Sequence, residues 1–150
     1  MEKKQIYGLE VRVQLVRESN NAEKPKIKKP EDVHELIKHL MDSDREQFLT
    51  ICLDTRNNVL SIETTSIGTM TANLVHPREV FKTAILQNAA GIIIAHNHPS
   101  GDATPSEDDV KITKRLNEVG KIMEIQLLDH VIVGNGVFNS LREEGYLEKE

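Results

Sequence analysis

Ala90-Gly91-Ile92-Ile93-Ile94-Ala95-His96-Asn97-His98-Pro99-Ser100-Gly101, followed by Thr104-Pro105-Ser106-Glu107-Asp108-Asp109, is the stretch on which the fold of this chain turns. Ala90 to Ala95 is the most apolar strand candidate, and it ends at two histidines separated by one residue. Side-chain direction along a strand repeats every two residues, so His96 and His98 are expected on one side. Pro99 and Gly101 then predict a sharp turn. Thr104 as N-cap, Pro105 at the first helical position and Glu107 completing a capping box predict a helix start. That helix is expected to run to Val119 and to stop at Gly120. Strand, turn and helix together bring Asp109, eleven residues beyond His98, to the end of the sheet that carries the histidines. Two imidazoles and a carboxylate make a three-ligand site for a divalent metal. Catalytic zinc sites commonly use three such ligands and keep a fourth position open for water.

Outward from this corner the pattern repeats. On the C-terminal side, Ile125 to Val133 predicts another strand, and Val137 to Leu147 a short strand with a final turn of helix. On the N-terminal side, Pro77 opens a helix whose inner face carries Val80, Phe81, Ala84 and Ile85. Gly68 to His76 looks irregular. Phe48 to Leu53 is a near-continuous apolar run, expected as a central strand covered on both faces. The turn residues Asp54-Thr55-Arg56-Asn57-Asn58 lead into a second strand, Val59 to Thr65, making a hairpin. Pro30-Glu31-Asp32 opens an earlier helix with acids where the backbone dipole favours them. Val33, Leu36, Ile37 and Leu40 supply its apolar stripe. Residues 18–29 form a surface connection, in which Lys24, Lys26, Lys28 and Lys29 are a solvated charge run. Gly8 to Arg17 alternates apolar and charged residues, the pattern of a strand with one wet face. Strands alternating with helices predict one α/β sheet with helices packed against it, in a single domain spanning 1–150.

Composition bounds the function. At 150 residues the chain is long enough to bury a core without staples. With 3% aromatics and no Trp, that core must be built from Ile, Leu, Val and Met. No apolar run approaches the roughly 20 residues needed to span a bilayer, and Met1-Glu2-Lys3-Lys4 does not open a signal peptide. The single cysteine, Cys52, excludes an internal disulfide and fits a reducing compartment, so the cytoplasm is the expected location. A net charge of -5 gives no general attraction to nucleic acid or to an anionic membrane.

His96 through Asp109 reads H-x-H-P, six residues, then S-x-x-D, which resembles the JAMM motif of JAB/MPN metalloproteases. His-Asn-His-Pro-Ser-Gly-Asp, the following Thr-Pro-Ser and Leu128-Asp129-His130 resemble the bacterial RadC-like branch more narrowly. Ile67-Gly68-Thr69 and Val75-His76-Pro77-Arg78-Glu79-Val80 do so too, and the likeness covers roughly residues 6 to 147. The resemblance implies a single JAB/MPN-like domain, with a mixed central β-sheet flanked by helices in a cytidine-deaminase-like three-layer arrangement. It implies a zinc-dependent peptidase or isopeptidase acting on a peptide or protein substrate. His96, His98 and Asp109 would bind Zn2+, Ser106 would sit beside the bound water or the developing oxyanion, and an upstream glutamate would handle protons.

Glu46 is the glutamate of choice, because it precedes the apolar strand Phe48 to Leu53 as the general acid/base of the resembling family does. Glu63 is the rival, but it alternates against Leu60 and Ile62 and is expected to face solvent. Asp102 or Asp108 could orient the imidazoles, as carboxylates behind metal-bound histidines do. Asn97 stands where deubiquitinating members often carry Ser or Thr. No counterpart of the helix-hairpin-helix region of full-length RadC-like proteins is read in these residues.

Other titratable groups read more simply. Asp129-His130 is expected as a buried hydrogen-bonded pair, with support of the metal ligands as its alternative. His76 is expected at a helix entry, Cys52 in the core, and His34 and His39 on a helix surface. Among competing functions, a zinc nucleobase deaminase needs an H-x-E element and a P-C-x-x-C pair, which one cysteine cannot supply. A DNA repair or recombination accessory finds neither a basic helix nor an aromatic stacking platform here. A protein-interaction scaffold is disfavoured by the full candidate ligand set.

Overall fold

The centre of the molecule is a pair of strands buried on both faces, β1 (Gln47–Leu53) and the strand antiparallel to it, β3 (Gly91–Asn97). A computed structural model describes residues 23–68 and 74–148. The alternating segment Gly8 to Arg17 lies outside the described residues, as does part of the irregular stretch after Gly68. In chain order the elements are α1 (Pro30–Ile37), a 3-10 turn (Lys38–Asp42), β1, β2 (Val59–Ile67), α2 (Pro77–Leu86), β3 (Gly91–Asn97), α3 (Glu107–Met123), β4 (Gln126–Val133) and β5 (Phe138–Ser140). The sheet order is β2-β1-β3-β4-β5. β1 pairs antiparallel with both β2 and β3, β3 runs parallel to β4, and β4 is antiparallel to β5. The result is a mixed five-stranded sheet with helices on both faces, an α/β domain of the JAB/MPN type expected from the sequence.

Strand parity divides the core into two. Phe48, Cys52, Ile92 and Ile94 face α2 and α3, meeting Val80, Phe81, Ala84, Ile112 and Leu116. Leu49, Ile51, Leu53, Ile93 and Ala95 face α1, meeting Val33 and Ile37. Every residue of β3 is buried. Each isoleucine of its run contributes about 1.5–3 kcal/mol of burial free energy, which offsets the cost of holding the polar His96 and Asn97 inside at the same strand's end.

Where structure and sequence differ, a specific contact accounts for the main differences. α3 starts at Glu107 with Ser106, not Thr104, as N-cap. The Thr104 hydroxyl is already engaged with the Asp102 carboxylate at 2.6 Å, while the Ser106 hydroxyl accepts from the Asp109 amide at 3.1 Å. Nor does Gly120 stop α3, which continues to Met123 and ends at Glu124 in the left-handed region, φ 55°. Gly120 instead lets α3 lie against β4: a Cβ there would stand 2.7 Å from the Ile125 carbonyl oxygen. Ile85, expected inside, is 49% exposed, because α2 presents Val80, Phe81 and Ala84 to the sheet. β2 runs two residues past Thr65, and β3 extends through the first histidine. After β5 the chain makes hydrogen-bonded turns rather than a helix. The four lysines from Lys24 to Lys29 are exposed, with Ile27 between them buried against the α1-side core.

Candidate metal centre

The β3-α3-β4 unit builds the site. Parallel strands joined through a helix place functional groups at their carboxyl ends, and His96 stands at that end of β3. Its parity turns it toward α3, where Phe48 stacks beneath it at 5.9 Å between ring centroids. His98 lies one step past β3, held by its amide on the Val133 carbonyl at 2.9 Å. The chain then turns, closed by the Gly101 amide on the His98 carbonyl at 2.9 Å, with Gly101 at φ 86°. This turn is pressed onto the β4–β5 connection so closely that a Cβ on Gly134 would lie 2.3 Å from the Gly101 carbonyl oxygen. The His98 ring is oriented by its Nδ1, which donates to the Asp102 carbonyl at 2.8 Å.

Asp109 reaches the same point from the first turn of α3. Its Oδ2 accepts the Ser106 amide at 2.7 Å, so capping of the helix and aim of the carboxylate are one arrangement. The result is convergence. His96 Nε2 lies 2.9 Å from His98 Nε2 and 3.1 Å from Asp109 Oδ1, and His98 Nε2 lies 3.3 Å from Asp109 Oδ2. A tetrahedral zinc ion with bonds of about 2.0–2.1 Å sets its donors about 3.3 Å apart, a spacing close to the separation of each ring nitrogen from its nearest Asp109 oxygen. Among the described residues, these three are the group whose donor atoms gather in this way.

The electrostatics match a cation site. Burial pulls the Asp109 carboxyl up, but hydrogen bonds with His96 and His98 and the Ser106 amide outweigh it and hold it far below the ordinary range. His98 is raised, first by its bond to Asp109, against the opposing effect of burial. Asp109 is therefore a carboxylate at neutral pH, as a metal ligand must be.

Behind the ligands the structure separates two neighbours that the sequence joins. His130 and Asp129 occupy opposite faces of β4 and do not pair through their side chains. His130 is fully buried on the α3 face, its Nε2 2.8 Å from His96 Nδ1 and its Nδ1 2.6 Å from the Thr113 hydroxyl. The Thr113 hydroxyl in turn donates to the Asp109 carbonyl at 2.6 Å. Burial drives the His130 pKa well below its usual value, so the ring is neutral. Asp129 faces α1 and accepts from Ser140 Oγ and from the amides of His130 and Arg142; burial raises its carboxyl. The involvement of Thr113 was not legible, since a threonine within a helix carries no distinguishing signal.

Glu46 lines the same cleft, about 370 Å³, with His98, Pro99, Ser100, Ser106, Asp108 and Asp109. Asn97 fixes the segment that carries it. Buried on the α1 side of β3, its Oδ1 accepts the Gln47 amide at 2.7 Å, and its Nδ2 donates to the Arg45 carbonyl at 3.0 Å and the Leu40 carbonyl at 3.3 Å. The residues on either side of Glu46 are thus tied to the residue between the two histidines. Glu63 is elsewhere. It is half-buried rather than solvent-facing, and its carboxylate accepts the Thr83 hydroxyl of α2. The reason is register: Glu63 pairs with Thr50 and shares its α2-facing side, leaving Ile62 43% exposed.

The remaining sequence candidates distribute as follows. Asp102 supports His98 through its backbone, its carboxylate being occupied by Thr104. Asp108 borders the cleft without touching either ring. His76 is exposed at the start of α2, His39 is exposed, and His34 stacks on Phe138 at 5.1 Å. Cys52 is buried in the core. A larger recess, about 430 Å³, opens on the α1 face beside Lys28, Asp129 and Arg142, away from the converging ligands.

The chain belongs to the RadC-like JAB domain family, whose profile matches residues 27–146. It is 52% identical over 122 residues to a UPF0758 protein of Desulforamulus reducens, covering 81% of this chain and 54% of the relative. Similar relatives are the UPF0758 proteins of Methanosarcina barkeri, 46% identical over 83% of this chain and 55% of its own length, and of Caldanaerobacter subterraneus, 48% identical over 88% and 57%. The chain spans about half the length of the curated relatives it matches. No helix among the described residues is long and apolar enough to cross a membrane.

Proposed function

We propose that this domain is a zinc-dependent hydrolase that cleaves peptide or isopeptide bonds in a peptide or protein substrate. One observation carries the reading: the Nε2 atoms of His96 and His98 lie 2.9 Å apart, and each lies 3.1–3.3 Å from an Asp109 carboxylate oxygen, at a cleft that Glu46 and Ser106 also line. Membership of the JAB domain family is compatible with it.

Zn2+ held by these three residues would supply an activated water and a polarised carbonyl at neutral pH. The protein's own groups would do the rest. Glu46, held at the cleft by the backbone bonds of its neighbours to Asn97, would take the proton of the attacking water and return it to the leaving amine. The Ser106 oxygen already accepts the Asp109 amide, which leaves its O–H to donate to the developing oxyanion. A donor of that kind is worth about 2.7–4 kcal/mol of transition-state stabilisation. The acidic rim of Glu46 and Asp108 gives no attraction to a phosphate backbone, so nucleic acid is not the proposed substrate.

The test is metal analysis of protein purified without chelator, followed by a cleavage screen against peptide and isopeptide libraries. The expected result is one zinc per chain and metal-dependent cleavage. Asp109→Ala should lose both, and Glu46→Gln should keep the metal and lose turnover. Protein that binds no zinc would favour a scaffold role, and full activity in Glu46→Gln would refute the assignment of the base.

A further inference from the structure

We infer that His130, oriented by Thr113, is a positioning residue that sets the tautomer of His96 and so keeps the His96 Nε2 lone pair aimed at the metal. The assignment takes the zinc reading of His96, His98 and Asp109 as its starting point.

Counting hydrogens leads to it. The Thr113 hydroxyl has one hydrogen, and it is given to the Asp109 carbonyl. The contact of 2.6 Å between Thr113 Oγ1 and His130 Nδ1 therefore needs its hydrogen from the ring, and Nδ1 is the protonated nitrogen of His130. His130 is fully buried and hydrogen-bonded to no carboxylate, and a neutral imidazole carries a single N–H. Its Nε2 is then an acceptor. The contact of 2.8 Å to His96 Nδ1 requires His96 to donate there, so Nε2 is the His96 nitrogen left to face Asp109 and a metal. His98 reaches the same state by a shorter route, since its Nδ1 donates to the Asp102 carbonyl. Both Nε2 atoms thus face Asp109, and each is the nitrogen its ring has left for a metal.

Metal-bound histidines commonly give their second N–H to a carboxylate or a carbonyl. Here the acceptor for His96 is a third imidazole, and that imidazole is ambiguous until Thr113 resolves it. The path His96–His130–Thr113 also ends on the backbone of Asp109, so one ligand is tied to another through two side chains. If Thr113 ceased to accept, His130 could carry its hydrogen on Nε2 and donate to His96 Nδ1. His96 would then hold its own hydrogen on Nε2, in the metal's place.

The experiment uses the metal-free chain and its zinc-loaded form. Long-range 1H–15N spectra of the histidine rings at pH 8 read the tautomers directly, and competition with a chromophoric chelator reads zinc affinity. The wild-type spectrum is expected to show His96 and His130 both protonated at Nδ1. Thr113→Val, close in volume, is expected to give a His96 population without a hydrogen on Nδ1 and to weaken zinc binding about 10-fold or more, while Thr113→Ser retains wild-type values. A wild-type His96 without a hydrogen on Nδ1, or unchanged affinity and ring spectrum in Thr113→Val, would overturn the assignment. The wild-type spectrum needs no variant to fold. Absence of zinc uptake by the wild type would instead defeat the hydrolase reading, and the ring spectrum would still decide the tautomers.

Discussion

Replacing Asn97 by Ala should separate the two halves of the site. The side chain is fully buried and makes three hydrogen bonds to the segment leading into β1. The Leu40 carbonyl keeps a second partner in the Ser43 amide, so its loss is partly covered. The Gln47 amide and the Arg45 carbonyl have no such cover. Two backbone groups deprived of their partner, plus the weaker third bond, give an expected destabilisation of about 2–4 kcal/mol. A domain of this size, typically stable by about 5–15 kcal/mol, remains folded after such a loss. His96 faces the other side of β3, so zinc affinity should stay within about threefold of wild type. Glu46 keeps the Gly68 amide on its carbonyl at 2.8 Å but loses the anchors of both neighbours, so its position should loosen and turnover should fall about 10-fold with little change in KM. Urea unfolding, chelator competition and hydrogen exchange at the Gln47 amide read the three effects. A loss under about 1 kcal/mol with the Gln47 amide still protected would refute the reasoning. Asn97→Asp should be no better than Ala, because a carboxylate would oppose the Arg45 and Leu40 carbonyls without solvent.

Two other outcomes follow from the packing. Gly120→Ala should gain up to about 1 kcal/mol in helix propensity, yet its Cβ would meet the Ile125 carbonyl oxygen at 2.7 Å. Separating α3 from β4 costs more, about 1–3 kcal/mol, so the urea midpoint should fall; a raised midpoint would show that the close approach is not limiting. Cys52 is fully buried, and its thiol is pushed up by burial. The native protein should therefore resist an aromatic disulfide reagent that reacts fully once urea is added, and rapid modification of the folded chain would contradict its core placement.

The sheet and the convergence of His96, His98 and Asp109 were legible because both are written in local patterns. The isoleucine run announces β3, and H-x-H with Asp109 eleven residues on is a spacing that one turn and one helix start can close. The place of Glu46 at the same cleft followed from its position ahead of an apolar strand. What could not be read depends on which of several possible partners each residue takes in the fold. Thr104 and Ser106 are both good caps, and the choice falls to Ser106 because Asp102 has already taken Thr104. Gly120 looks like a stop but is a contact surface for Ile125. Asp129 and His130 look like a pair, while strand parity sends one to Ser140 and the other to His96. Glu63 reads as solvated from alternation alone, because its bond partner Thr83 lies on another element.

The proposed ligands all fall between residues 96 and 109, whereas Glu46 arrives from the strand on the far side of β3. Closing a short loop carries a small entropic cost, so a partly assembled chain could chelate before it could hydrolyse. On the hydrolase reading, chemistry would then begin only after the β1 hairpin docks.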